Sequence, residues 1–353
     1  MTKHIYAFKY RLPGATEFCN GMSDHCLEQP RGRGFVIAPF LPHSPMIFLP
    51  AGQACDSNTF SEALRLNGHG LCAPFPEAST APDQLADEVE TIKTLEREGK
   101  LTKAVAARCL LQDAPADIDS LFDSLCRNYP DAFVYLFTSP ESGTWIGASP
   151  ELLLEHDGKK LHTMALAGTH RDNDTDDWDA KNRREHDVVT KYIMDCFTNS
   201  GLWPVADKPV TKMAGPVEHL MTRISVPASD TLDVLQLIDT LAPTPALCGM
   251  PRELAAETIA QQEHFERSFF GGYCGPWNGY DSFSLFVTLR CAHIAPDRAV
   301  LYAGAGIMPE SDPASEWAEI DRKLSTLTSL FPTPHILAEP FPDPPHILAK
   351  PFL

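Results

Sequence analysis

No stretch of the 353-residue chain holds the ~20 consecutive apolar residues that a membrane-spanning helix requires. The opening MTKHIYAFKYRLPG also lacks the charged, then apolar, then small-residue layout of a secretory signal, so a cytoplasmic location is expected. Positive charge is scarce: 29 Lys and Arg face 47 Asp and Glu, a formal net charge of −18. Such a surface repels phosphate backbones and anionic lipid, which argues against nucleic acid and membranes as partners. Paired cysteines are missing as well. The ten cysteines are scattered with no C-x-x-C, so reduced, mostly buried thiols are expected rather than a disulfide framework. Cys274, in GGYCGPW, has Pro276 where the second glycine of a nucleophile-presenting turn would stand. It reads as a small core residue.

What the chain does have is enough apolar material, 43% of residues, to fill a large core. The first ~75 residues alternate short apolar runs with Gly, Pro, Asn and Asp, the pattern of strands joined by turns. Helical spacing begins near Pro82 and stops at Gly99, and three more helices are predicted at about Trp178 to Asn199, Pro251 to His264 and Pro313 to Leu330. DAFVYLFTS, TWIGAS, ELLLEHDGKKLHTMALAG and FSLFVTLRCAHIAPDRAVLYAGAG read as strands, with DG and APD at hairpin connections. Strands and helices do not alternate as β-α-β units, so an α+β fold with a largely antiparallel sheet is expected. No linker divides residues 1–330, which should form a single domain. Residues 331–353 carry PHILAEPF and then PHILAKPF among seven prolines, a tail expected to be poorly ordered, with docking to a partner as the alternative.

Several residues could carry chemistry. Glu185 and His186 lie beside the apolar face of the predicted 178–199 helix, where the carboxylate could be a solvated helix start or could point into a cleft. Glu316, Glu319 and Lys323 fall on one helical stripe, consistent with a surface ion pair or with a carboxylate ligand for a hard cation beside a lysine for an anionic substrate. AGAGI lacks the third glycine of a dinucleotide fingerprint, so Gly304 and Gly306 fit close backbone approach to a small ligand better. Lys103 sits among small and apolar residues, where burial would favour a neutral amine. Arg290, inside the strand LFVTLRCAHI, would need an anionic partner if buried.

In order and spacing, GASPELLLEHDGKKLHTMALAGTHR, REHDVV, LAPTPALCGMPRE, ERSFFGGYCGPW, TLRCA and LYAGAGIMPESDPASEWAEIDRKL resemble the chorismate-utilising enzymes. That family includes isochorismate and salicylate synthases and the large subunits of anthranilate and aminodeoxychorismate synthases. The likeness spans about residues 95–330, and the first ~90 residues match only loosely. It implies one domain with two large, mostly antiparallel sheets, and a Mg²⁺ ion held by Glu185 and Glu319. It also implies that Lys103 activates water, where ammonia-using members typically carry glutamine, so no glutamine amidotransferase subunit is expected. Glu151 matches the general acid; Arg290 and Lys323 match residues that hold substrate carboxylates. Leu166, Ala167, Gly168, Thr169, Thr244 and Ala246 fall in pocket-lining motifs, Gly304 lies at the substrate-facing loop, and His219 matches a histidine near the substrate ring. Phe270 and Leu289 match substrate-binding positions: Phe270 stands where salicylate synthases commonly have tyrosine, which favours isochorismate synthase, whereas leucine at 289 is common among the lyases. The resemblance thus implies isomerisation of chorismate to isochorismate, with salicylate synthesis or an inactive chorismate-binding homologue as alternatives. Isochorismate can feed menaquinone or a catechol siderophore, and the residues do not choose between them.

Overall fold

Short β-branched and aromatic runs separated by tight-turn residues favour hairpins, and the chain uses them repeatedly. The computed structural model describes residues 4–41, 45–56, 58–67, 74–171, 178–229 and 231–331, so the proline-rich repeat lies outside the described residues. Strands β1 (Tyr6–Arg11), β2 (Cys19–Ser23), β3 (Gly34–Ala38) and β4 (Ile47–Pro50) are followed by helices α1 (Thr59–Asn67) and α2 (Pro82–Arg97). Next come β5 (Lys103–Asp113), α3 (Ile118–Asn128), β6 (Phe133–Ser139), β7 (Gly143–Ser149), β8 (Leu152–His156) and β9 (Lys160–Arg171). Helix α4 (Ala180–Asn199) leads to β10 (Val205–Ala206), β11 (Val210–Ala214) and β12 (Val217–Pro227). Then α5 (Val234–Leu241), β13 (Gly249–Met250) and α6 (Arg252–Gln262) precede β14 (Tyr273–Gly279) and β15 (Ser282–Val287). The last elements are β16 (Cys291–Ile294), β17 (Arg298–Ile307) and α7 (Pro313–Thr328).

The strands form two sheets, as expected for the α+β class. One runs β13-β5-β17-β16-β7-β6-β1-β2; the other runs β10-β12-β9-β8-β15-β14-β3-β4, with β11 beside β12. The long pairings are antiparallel, among them β5 with β17 and β9 with β12. The DG turn joins β8 to β9 with Gly158 at φ +89°, a conformation open to glycine without strain. Aromatic rings close the space between the sheets: Phe8 stacks on Phe35 at 5.0 Å and Phe133 on Phe286 at 4.2 Å. Each such pair contributes about 0.5–1.5 kcal/mol beyond the burial of its surface.

Helices cover the sheets where apolar spacing allows. Helix α2 buries Leu85, Val89 and Ile92 and gives way to Gly99 at φ +71°. Helices α2 and α7 pack on β5 and β17, and α4 packs on β9 and β12. Among the described residues no helix is long and apolar enough to cross a membrane. Three helices fall outside the sequence expectation. In α3, Ile118, Leu121, Phe122 and Leu125 follow helical spacing behind the N-cap Asp117; α5 is a single short apolar stripe; α1 lies inside the region read as sheet. The expected strand through Arg290 is also broken. β15 ends at Val287 and β16 begins at Cys291, because Arg290 takes φ +45°, a left-handed conformation that turns the chain.

Candidate active site

The two sheets and their helices meet around a cavity of about 60 Å³. Its wall takes Ala303, Gly304 and Gly306 from β17, Lys323 from α7 and Glu185 from α4. Leu166, Ala167, Gly168 and Thr169 of β9 and His219 of β12 line it as well. Connections contribute Pro150, Glu151, Ala246, Leu247, Leu289 and Arg290.

A β-bulge shapes the wall where β9 meets β12. His219 pairs with Thr169 but Leu220 pairs with Ala167, leaving Gly168 as the extra residue at φ +77°. A Cβ at Gly168 would meet the Asn182 carbonyl at 2.9 Å. The Gly168 carbonyl accepts from His219 Nδ1 at 3.0 Å, which leaves Nε2 to accept from Arg290 Nη2 at 3.1 Å. Burial, with Lys323 and Arg290 nearby, holds the His219 imidazole well below its usual range, so this neutral tautomer persists.

Arg290 is buried yet has no carboxylate in ion-pairing distance among the described residues. Its Nη1 donates to the Ala214 carbonyl at 2.5 Å, and burial brings the guanidinium down to about 10. A cation whose protein partners are all neutral is left to meet an anion in the cavity. The anionic partner expected for Arg290 is therefore not supplied by the described protein residues.

Glu151, in the same wall, is 3% exposed, and burial pushes its carboxyl up to about 8 against the pull of Lys103, Lys212 and Lys323. It is thus protonated at neutral pH. The Glu151 N–H donates to Ser149 Oγ at 3.2 Å and its carbonyl accepts from Val287 at 3.0 Å, fixing the turn before β8.

Lys103 has no exposed surface, and its Nζ lies 2.9 Å from Glu185 Oε1. Burial works to raise the Glu185 carboxyl, but Lys103, then Lys181 and Lys323, hold it below the usual value. The surroundings of Lys103 therefore include a carboxylate and are not purely apolar as expected. Gly306 makes the pair possible: a Cβ there would stand 2.1 Å from Glu185 Oε1 and 2.8 Å from Lys103 Cε.

The stripe on α7 continues this array. Lys323 Nζ donates to Glu319 Oε1 at 2.7 Å and to the Gly304 carbonyl at 2.8 Å. Lys181 of α4 pairs with Glu316, and although burial opposes its charge, Glu316, Glu185 and Glu319 together raise it. Glu185, Glu316 and Glu319 offer only oxygen donors, the chemistry that suits a hard cation such as Mg²⁺. Each is now matched by a lysine, and no group of three or more His, Cys, Asp or Glu side chains is close enough to hold a metal among the described residues. One or two carboxylates with water and substrate oxygens suffice for Mg²⁺, so the donor set fits.

Four expected residues stand back from the cavity wall. Lys103 lies behind Glu185 and Gly306, and Glu319 lies behind Lys323. Thr244 accepts from the Leu247 and Cys248 N–H groups through its carbonyl and so sets the turn that carries Ala246 and Leu247 to the wall. Phe270 does not line the cavity because its ring stacks on Tyr302 at 5.5 Å inside the core. Cys274 is buried in β14, as a core residue should be. Lys181, Lys212, Pro150, Leu247 and Ala303 were not anticipated. The Lys181–Glu316 contact joins positions 135 residues apart, which no local pattern reveals.

Residues 68–331 match the sequence family described as chorismate binding enzyme. Isochorismate synthase EntC of Escherichia coli K12 is 30% identical over 307 residues, covering 83% of this chain and 77% of that protein. Isochorismate synthase DhbC of Bacillus subtilis is 32% identical over 289 residues, covering 74% and 70%. The solved structure of the menaquinone-specific isochorismate synthase MenF from Escherichia coli superposes with a TM-score of 0.75 at 24% identity, over 92% of this chain and 88% of that one.

The tight fit at Gly306 yields a prediction. Gly306→Ala should leave a folded protein, since no left-handed backbone is involved, with about 1–3 kcal/mol lost to overpacking in urea unfolding. It should also lower chorismate turnover at least about tenfold, by pushing Lys103 and Glu185 apart, an effect of even ~1 Å misplacement. Unchanged turnover by a well-folded variant would mean that the pair does not need this spacing.

Proposed function

Because the chain belongs to the chorismate binding enzyme family, we propose that it is an isochorismate synthase, converting chorismate to isochorismate by adding water at C2 as the C4 hydroxyl departs. The observation that carries this reading is Arg290, a buried guanidinium with only neutral partners, lining the same cavity as a carboxylic acid kept protonated by burial. A dicarboxylate substrate supplies the missing anion, and the protonated acid suits the departure of a hydroxyl group.

In this mechanism Arg290 and Lys323 hold the substrate carboxylates. Lys103 takes a proton from the attacking water as the C2–O bond forms, the ring double bond shifts, and the C4–O bond breaks. Glu151 gives its proton to the leaving hydroxyl, which departs as water, so the net change is an isomerisation. The Lys103 ammonium that pairs with Glu185 has no lone pair, so Lys103 must give up a proton to solvent before water attacks, and the proton it then takes from that water restores the pair. Mg²⁺, held by Glu185 and Glu319, would neutralise a substrate carboxylate. His219 keeps Arg290 oriented without adding charge of its own. A water-activating lysine requires no ammonia-supplying amidotransferase subunit. The nine described cysteines are free, in keeping with a reducing, cytoplasmic setting.

Incubating the purified protein with chorismate and Mg²⁺ and separating the products by chromatography tests the assignment. Isochorismate should accumulate with little pyruvate, and EDTA should abolish turnover. Pyruvate formed in step with chorismate loss would point instead to salicylate synthesis, and undiminished rates in EDTA would remove the metal.

A second prediction concerns the proton-transfer pair. Lys103→Ala and Glu151→Gln should each lower kcat by about 10²–10⁴-fold, the usual contribution of positioned proton transfer. Since Glu151 must carry its proton, wild-type kcat should fall as pH rises through about 8, and Glu151→Gln should lose that limb. A limb retained in Glu151→Gln would assign the proton to another group.

A further inference from the structure

Behind the turn that carries Glu151 lies a second hollow of about 630 Å³, sharing Pro150 with the cavity wall. Lys212 lines it. Strand β11 pairs with β12 in a register that sets Lys212 directly opposite His219. Directly opposed residues in an antiparallel pair project to the same face, so Lys212 reaches toward the cavity from the histidine's side of the sheet. Its Nζ donates to the Pro150 carbonyl at 2.9 Å, one peptide before Glu151.

Three lysines act on Glu151, and they are not equivalent. Lys103 has Glu185 at 2.9 Å and Lys323 has Glu319 at 2.7 Å, so carboxylates cancel much of their charge. Lys212 holds a neutral carbonyl instead. Resting on the proposed reaction, we propose that Lys212 is a positioning residue for the general acid: it fixes the Pro150–Glu151 turn and sets an uncancelled positive charge beside the carboxyl.

Glu155, His162, Asp207 and Arg223 line the hollow with Lys212, but among the described residues no carboxylate is in ion-pairing distance of its Nζ. Glu151 shares the cavity wall with Glu185, neutral His219, Arg290 and Lys323, and has Lys103 behind it. Lys212 is lowered by burial and by Arg223 and Arg290, and raised by Glu151 and Asp131. Burial alone would hold the Glu151 proton more tightly than transfer to a leaving hydroxyl requires. The Lys212 charge opposes that from outside the wall without occupying substrate space.

The test reads Glu151 directly. Infrared difference spectra of the substrate-free protein, titrated through the neutral and alkaline range, should show a carboxyl band that is absent in Glu151→Gln. In Lys212→Met the midpoint of that band should rise by about half a pH unit or more, as expected on removing a nearby opposite charge. Lys212→Arg should keep the wild-type midpoint. Lys212→Gln retains a donor for the Pro150 carbonyl without the charge, so it should shift the midpoint as Met does while losing less kcat. In turnover, the alkaline limb should move up with the midpoint and KM should stay nearly constant. An unmoved midpoint in folded Lys212→Met and Lys212→Gln, or a shifted one in Lys212→Arg, overturns the inference. Failure of the wild type to convert chorismate would overturn the reaction while leaving the spectroscopic result to decide the role of Lys212.

Discussion

A lysine with no exposed surface has to be met by a negative charge, and the Lys103–Glu185 pair is the constraint around which the centre is built. It fixes four elements at once. β5 supplies the lysine and α4 the glutamate, while β17 must pass so close that only Gly306 fits. β13 also runs against β5, with Met250 opposite Lys103 and Gly249 opposite Ala104. A Cβ at Gly249 would stand 2.3 Å from the Lys103 carbonyl, so glycine is required on that side too. Two close backbone approaches thus hold one ion pair.

Charge inside the centre runs opposite to charge outside. The whole chain carries −18, yet the cavity gathers Arg290 and Lys323, with Lys103, Lys181 and Lys212 behind its walls. Coulomb interactions among exposed charges fade beyond about 8–10 Å at moderate salt, so a local cluster can attract a dianion despite the distant acidic surface. Glu185, Glu316 and Glu319 do not undo this, because each shares its charge with a lysine. The outcome is a cavity whose carboxylates are matched by lysines, in which Arg290 keeps a cation free of carboxylate partners among the described residues. Substrate carboxylates can therefore replace interactions already present in the wall, at a lower desolvation cost than unpaired lysines would impose.

Much of this was legible in the sequence, though unevenly. The DG turn between β8 and β9, the Gly99 stop and the α7 stripe are local features, and each lies where spacing and turn chemistry place it. The order of motifs in the chain led to the right family and to most of the cavity wall. Long-range geometry was not available by those means. Arg290 reads as a strand residue because Leu289 and Cys291 flank it, and only the folded chain reveals its left-handed turn. Phe270 reads as a substrate-facing aromatic, but packing on Tyr302 turns it into the core. Lys212 sits in VTKMA, a strand of mostly exposed residues, and its closeness to Glu151 depends on the register of β11 with β12.

The pair at the centre can be weighed by a double-mutant cycle on urea unfolding with Lys103→Met, Glu185→Gln and the combination. Removing one partner of a buried ion pair strands the other, so each single variant should lose about 3–5 kcal/mol. The double variant should lose far less than the sum, because neither charge is left unpaired. Single losses that simply add would contradict the account, showing that Lys103 and Glu185 are stabilised independently and that the centre is not organised around their contact.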